Sequence, residues 1–236
     1  MSDGKLVLAI GDVHGHVDRL RALLEQEGII DWTGKRIRDD VTVVQLGDLG
    51  HFGQDTKDKD LQAYQLANDA IDIVLWGNHD RACVDSRHAF AGYSPPFVEA
   101  CDEMAKLGSA HVLAYAAHGY LLTHAGLHPS ALPDEEYTDE VKVAEVLCEG
   151  GDTTAVNAVS RSRGGRSMFG GILWRDADED LDSGFRQVFG HTARYGEVLT
   201  YDADEGTSYC VDVGNKTNGK LAGIWLPSER IVQVQL

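Results

Sequence analysis

Leu6-Val7-Leu8-Ala9-Ile10-Gly11-Asp12-Val13-His14-Gly15 is a short apolar run that stops on a glycine-flanked carboxylate and imidazole. Four more blocks repeat the arrangement. Gly47-Asp48 follows Val41 to Leu46, and Gly77-Asn78-His79-Asp80 follows Ile71 to Trp76. His124-Ala125-Gly126 follows Tyr120 to Thr123, and Gly190-His191-Thr192 follows Phe185 to Phe189. Apolar runs of this length read as buried strands, so the polar blocks fall at their C-terminal ends. Open α/β sheets gather ligand sites at that edge. Any one block alone reads as a polar turn after a strand. Their recurrence points to a shared site.

Between the blocks the period changes. Val17, Leu20, Leu23 and Leu24 predict a helix over Val17 to Glu27, and Leu61, Tyr64 and Leu66 predict another over Asp58 to Ala70. This alternation predicts a partly parallel sheet with helices on both faces. Further on, a helix is expected from Phe97 to Leu107 behind Pro95-Pro96, and another from Asp134 to Cys148. Between them, His111 to Tyr115 and Tyr120 to His124 read as a hairpin turning at Ala117-His118-Gly119. Ser160 to Gly171, rich in Gly, Arg and Ser, reads as a loop. The last third predicts strands over Gln187 to Phe189, Glu197 to Tyr201, Thr207 to Val213, Leu221 to Leu226 and Arg230 to Gln235. The resulting fold class is an α/β sandwich of mixed β-sheets flanked by helices, parallel early and antiparallel late, as one domain over residues 1–236.

Composition narrows the function. With 21 Lys and Arg against 38 Asp and Glu, the formal charge of -17 repels long polyanions, so a general nucleic-acid binder is not expected. Bound divalent cations offset part of that charge locally and leave room for a small anionic substrate. No apolar stretch approaches a membrane span, and the segment Met1 to Lys5 lacks a signal-peptide pattern. A cytoplasmic location is the expectation. Cys83, Cys101, Cys148 and Cys210 form no C-x-x-C pair and read as free thiols.

The blocks carry a coherent chemistry. Asp12 and His14, two residues apart, can reach one ion from a single turn bent at Gly11 and Gly15. Asp48 could place its two oxygens on two ions, with Asn78, His124 and His191 supplying neutral ligands to the second. Two such ions, about 3.5–4 Å apart, clamp phosphoryl oxygens and lower the pKa of a water between them.

Here the sequence resembles the calcineurin-like metallophosphoesterases, and within them the PPP-type phosphatases with their bacterial, phage and diadenosine tetraphosphatase-like relatives. The resemblance runs from Gly11 to about Gly214 and rests on the five blocks in order, with Val211-Asp212-Val213-Gly214 resembling the closing hairpin. It implies that Asp12 and His14 hold the first metal, that Asp48 bridges, and that Asn78, His124 and His191 hold the second. It also implies that His79 is the general acid, and that Asp80, where the family often has glutamate, has a supporting role. Two divalent ions are implied; manganese suits the mixed ligand set, and iron or zinc also fits. The single histidine of Gly190-His191-Thr192-Ala193, where many phosphodiesterases have two, favours the PPP-type branch.

The second block departs from the family. Where the pattern usually continues G-D-x-x-D-R-G, this chain has Gly47-Asp48-Leu49-Gly50-His51-Phe52-Gly53, so His51 and Phe52 replace the aspartate that steadies the acid and the arginine that grips phosphate. Arg175, after Ile172-Leu173-Trp174, is the expected substitute for binding substrate, and Arg161, Arg163 and Arg166 form a basic run that could guide an anion. The expected function is metal-dependent hydrolysis of phosphate esters by a bimetal-activated water, on small anionic esters or phosphoproteins. A phosphodiesterase or nucleotide pyrophosphohydrolase is the alternative left open by the missing arginine. A non-catalytic protein binding a partner through the Arg161 to Arg166 loop is the third.

Overall fold

Alternate residues of one strand serve two cores. In β1 (Leu6–Ile10), Leu8 and Ile10 face one apolar cluster while Val7 and Ala9 face another, as the two-residue period of a strand requires. The computed structural model describes residues 4–53, 56–85, 93–94, 98–107, 111–128, 130, 139–150, 153–181, 184–193 and 196–236. Around β1 lie β2 (Val41–Gln45), β3 (Ile73–Leu75) and β4 (His111–Val112), each parallel to its neighbour. On its other side β10 (Lys220–Leu226) pairs antiparallel with β1 and with β11 (Arg230–Gln235), giving the order β11-β10-β1-β2-β3-β4.

The second sheet contains β5 (Tyr115–Ala117), β6 (Tyr120–Leu122), β7 (Arg186–Phe189), β8 (Leu199–Ala203) and β9 (Gly206–Cys210), in the order β5-β6-β7-β9-β8. The two sheets face each other through Val7, Ala9, Val44, Leu46 and Leu75 on one side and Tyr120, Leu122, Val188 and Tyr209 on the other. Helices α1 (Val17–Gln26), α2 (Lys57–Ala70) and α4 (Val98–Leu107) cover the outside of the first sheet; α3 (Asn78–Val84) lies between α2 and α4 in sequence. Helices α5 (Glu140–Gly150) and α6 (Thr154–Asn157) cover the second sheet, and α7 (Asn215–Asn218) precedes β10. Each fully buried Leu or Val in these layers contributes about 1.5–3 kcal/mol over an exposed one.

The expected sandwich of mixed sheets flanked by helices is the one observed, but three details differ. The late strands are not uniformly antiparallel, because β7 pairs parallel with both β6 and β9. The expected hairpin splits: His111–Val112 joins the first sheet beside β3, and only Tyr115–Ala117 turns back onto β6. The Ser160 to Gly171 loop contains a 3-10 turn at Arg161–Arg163, closed by a Ser160 to Ser167 bridge. Pro95-Pro96 and the expected helix starts at Phe97 and Asp134 lie outside the described residues. Among the described residues no helix is long and apolar enough to cross a membrane.

Candidate metal centre

The parallel pairings aim six strand ends at one edge. From the first sheet, β1 delivers Asp12 and His14, β2 delivers Asp48, and β3 leads through Gly77 into Asn78 and His79 at the start of α3. From the second, β6 delivers His124, β7 delivers His191, and β9 delivers Asp212. Backbone bonds weld these loops: Val13 N–H and His14 N–H donate to Asp48 O at 3.1 and 2.8 Å, and Gly15 N–H donates to Leu49 O at 2.9 Å. Across the sheets, His191 N–H donates to the Asp12 carboxylate at 3.1 Å.

Close packing here depends on glycine. A Cβ on Gly77 would stand 2.1 Å from Asp48 Oδ1, and one on Gly190 would stand 2.1 Å from Asp12 Oδ1. Three expected ligands adopt left-handed backbone, His14 at φ 49, Asp48 at φ 55 and His191 at φ 71. Such conformations in non-glycine residues cost about 1–3 kcal/mol each and persist where the surroundings enforce them.

The side chains form two candidate ligand sets that share Asp48. Asp48 Oδ2 lies 3.9 Å from His14 Nε2, which is also 3.9 Å from Asp12 Oδ2. Asp48 Oδ1 lies 3.6 Å from His124 Nε2, which lies 3.0 Å from Asn78 Oδ1 and 3.0 Å from His191 Nδ1. The His124 tautomer follows from its other nitrogen: Nδ1 is 2.9 Å from Leu46 O, a carbonyl that only accepts, so Nδ1 carries the proton. Nε2 therefore presents a lone pair to the lone pairs of Asn78 Oδ1 and Asp48 Oδ1. Converging lone pairs repel unless a cation lies among them.

Electrostatics point the same way. Burial pushes the Asp12 carboxyl well up, with Asp212 and Asp48 adding to the rise against the His191 N–H bond. Burial likewise pushes Asp48 well up, helped by Asp80, and takes Asp212 to about 6. The imidazoles shift down: burial takes His124 to about 3, and burial with the neighbouring His79, His51 and His124 lowers His14 strongly. Buried carboxylates beside neutral imidazoles fit divalent cations, which stabilise the former and accept the lone pairs of the latter. Adding such ions at 100 times their Kd should stabilise the fold by about 2.7 kcal/mol. For a chain of this size that raises the melting temperature by roughly 5–10 °C. Scanning fluorimetry with Mn2+ against EDTA checks this, and an unchanged midpoint contradicts it.

His79 stands beside both sets. Its Nδ1 is 2.6 Å from His51 O, so Nδ1 carries a proton and Nε2 faces the cluster, 3.9 Å from Asp48 Oδ2. Burial is the main cause that takes His79 down to about 4, and the His51 carbonyl bond opposes it. The His51 ring stacks on His79 with centroids 5.1 Å apart. Phe52, at φ 50, turns inward to pack 6.1 Å from the Tyr64 ring and is 2% exposed, so it lines the core.

The structure brings together Asp12, His14, Asp48, Asn78, His79, His124 and His191, but it does not present Arg175 to the same opening. Arg175 is 0% exposed; its Nη1 and Nη2 donate to Ala125 O and Glu179 O, and its guanidinium lies 5.1 Å from the Phe189 ring. The expectation that it grips substrate finds no support in these contacts. Its charge is enclosed and its two Nη groups hold backbone carbonyls. Sequence reasoning assigned no role to Asp212, whose signal was a lone carboxylate inside the apolar run Val211-Asp212-Val213. A cavity of about 430 Å³ lined by Asp180, Asp202, Asp204 and Glu205 opens elsewhere, and its carboxylates disfavour an anionic substrate.

Comparison with known proteins identifies the family and the fold. The family model for calcineurin-like phosphoesterases matches residues 5–211. A candidate diadenosine tetraphosphatase shares the fold at 23% identity and TM-score 0.57, over 99% of this chain and 94% of that one. The cold-active protein-tyrosine phosphatase of the psychrophile Shewanella sp. does so at 20% identity and TM-score 0.61, over 97% and 77%. A Saccharomyces cerevisiae protein serine/threonine phosphatase does so at 14% identity and TM-score 0.55, over 100% and 81%. No curated protein matches the chain.

Proposed function

Because the chain belongs to the calcineurin-like phosphoesterase family and is a metal-dependent hydrolase of phosphoric esters, we propose that it works as a PPP-type phosphatase on small anionic phosphate esters or phosphoproteins in the cytoplasm. The supporting observation is Asp48, whose Oδ2 faces His14 and whose Oδ1 faces His124. In this reading Asp12, His14 and Asp48 would hold one divalent ion, and Asp48, Asn78, His124 and His191 would hold the other. Manganese suits that mixed donor set. When bound, the two ions supply Lewis-acid stabilisation of the phosphoryl oxygens and an activated water.

The chain's own residues do the rest. His51 O fixes one His79 proton at Nδ1, so the proton delivered to the departing oxygen is a second one taken up at Nε2 beside the Asp48 carboxylate, and delivery returns His79 to the neutral imidazole. Asp48 Oδ1 accepts from His79 N–H at 2.8 Å, which ties the acid to the bridging carboxylate. His79→Ala should therefore lower kcat on an alkyl phosphate by about 100-fold or more. The loss should be much smaller on 4-nitrophenyl phosphate, whose leaving group needs little protonation. Equal losses on the two esters count against the acid role.

A second reading, phosphodiesterase or nucleotide pyrophosphohydrolase, draws on Phe52, which replaces a phosphate-gripping arginine and packs in the core. A panel of mono- and diesters on the manganese-loaded protein separates the two. Faster turnover of the diesters favours the second.

A further inference from the structure

We propose that Arg163 grips the phosphoryl group at this centre and selects substrates with three free phosphoryl oxygens, meaning monoesters and terminal phosphates. The inference rests on the phosphoesterase reading above. Arg163 ends the 3-10 turn Arg161–Arg163, where Gly164 at φ 82 reverses the chain. Glu179 staples this loop to the segment after Trp174: its carboxylate accepts from Ser162 Oγ at 2.9 Å, Gly170 N–H at 2.8 Å and Asp176 N–H at 3.0 Å. The loop is thereby a fixed platform for the side chain it carries.

From that platform the guanidinium reaches the residue next to a metal-facing histidine. Arg163 Nη2 donates to Thr192 Oγ1, immediately after His191. Arg163 Nε is 2.8 Å from Asp176 Oδ2, an ion-pair distance without the angle of a hydrogen bond. Nη1 has no hydrogen-bond partner among the described residues, and the side chain is 27% exposed. Nη1 thus remains for a ligand on a part-exposed side chain, whereas Arg175 is enclosed.

Thr192 directly follows His191, whose Nδ1 lies 3.0 Å from His124 Nε2, so the guanidinium stands beside the second ligand set. Arg81, by contrast, lies over the Trp76 ring, and Arg19 donates to Asn215 O and Oδ1.

Oxygen counting gives the selectivity. A monoester has three non-bridging oxygens, so two can face the two metal sets and one remains for the guanidinium. A diester has two and leaves none. A charge-assisted contact of this kind is worth about 10- to 100-fold in affinity.

The test compares Arg163→Ala and Arg163→Lys with the parent, all manganese-loaded. Titration calorimetry with inorganic phosphate should show binding weakened about 10- to 100-fold in Arg163→Ala, with Arg163→Lys between it and the parent. The kcat/KM for 4-nitrophenyl phosphate should fall by a similar factor, while that for bis(4-nitrophenyl) phosphate changes far less. Added methylguanidinium should restore part of the monoester activity of Arg163→Ala. Unchanged phosphate affinity overturns the proposal, and so does an equal loss on monoester and diester. If Arg163→Ala does not fold, Arg163→Lys decides by the same two comparisons. These outcomes are separate from the phosphoesterase reading, which fails instead if Asp48→Asn keeps full turnover.

Discussion

Asp48→Asn is expected to lower kcat by roughly a thousandfold or more while leaving the metal-free protein as stable as the parent or more so. The two halves have one cause. In the metal-free fold Asp48 is 2% exposed, and burial, with Asp80 and Asp212 nearby, pushes its carboxyl well up. An unpaired buried carboxylate is costly, so exchanging it for a neutral group of the same shape relieves the apo state. The asparagine oxygen can still accept the His79 N–H that Asp48 Oδ1 holds at 2.8 Å. It cannot present negative oxygens to both His14 and His124, which lie 3.9 and 3.6 Å from Oδ2 and Oδ1. The stabilisation by Mn2+ should therefore shrink together with turnover. Steady-state kinetics and melting curves with Mn2+ and with EDTA check both halves. Turnover above a tenth of the parent's removes Asp48 from the bridging position.

The candidate ligands were legible in the sequence because Asp12, His14, Asp48, Asn78 and His191 each stand beside a glycine, and His124 two residues before one, at the end of a short apolar strand. The structure adds the reason those glycines matter: Gly77 and Gly190 leave room for the Asp48 and Asp12 carboxylates. What was not legible depends on backbone geometry or on distant chain. His51 replaces the expected aspartate, yet its carbonyl is what holds His79 Nδ1, and no side-chain identity encodes that. Phe52 reads as a gap in a binding site, whereas a left-handed φ of 50 turns it into the core. Arg175 sits in a motif that suggests substrate, but Ala125 and Glu179, 50 and 4 residues away, enclose it. The two residues of β4 carry too little periodicity to tell which sheet they join; pairing with β3 decides it.

Asp80 was read as a supporting residue, and its surroundings give that role a size. Its Oδ2 accepts N–H bonds from Asp48 at 2.6 Å, Gly77 at 3.2 Å and Leu49 at 3.3 Å. Its Oδ1 accepts from Gly50 N–H at 3.2 Å and from the Tyr64 hydroxyl at 2.7 Å. The carboxylate is 0% exposed, so water cannot take over any of these donors. It joins the loop after β2 to the start of α3, the segments that carry Asp48, Asn78 and His79. In Asp80→Asn one acceptor becomes an NH2 facing donors. Stranded buried donors cost about 1–3 kcal/mol each, so the variant should lose on the order of 5 kcal/mol. For a chain of this length that corresponds to a fall in melting temperature of about 10–20 °C. Tyr64→Phe, which withdraws a single donor and strands no backbone group, should cost only about 1–2 kcal/mol. Comparing the two melting curves separates loss of the carboxylate knot from general damage to the core. A fall of less than about 3 °C in Asp80→Asn shows that the loops hold without it. A large fall, with metal affinity reduced about 10- to 100-fold in the folded fraction, identifies Asp80 as the residue that keeps the two metal-bearing loops in register.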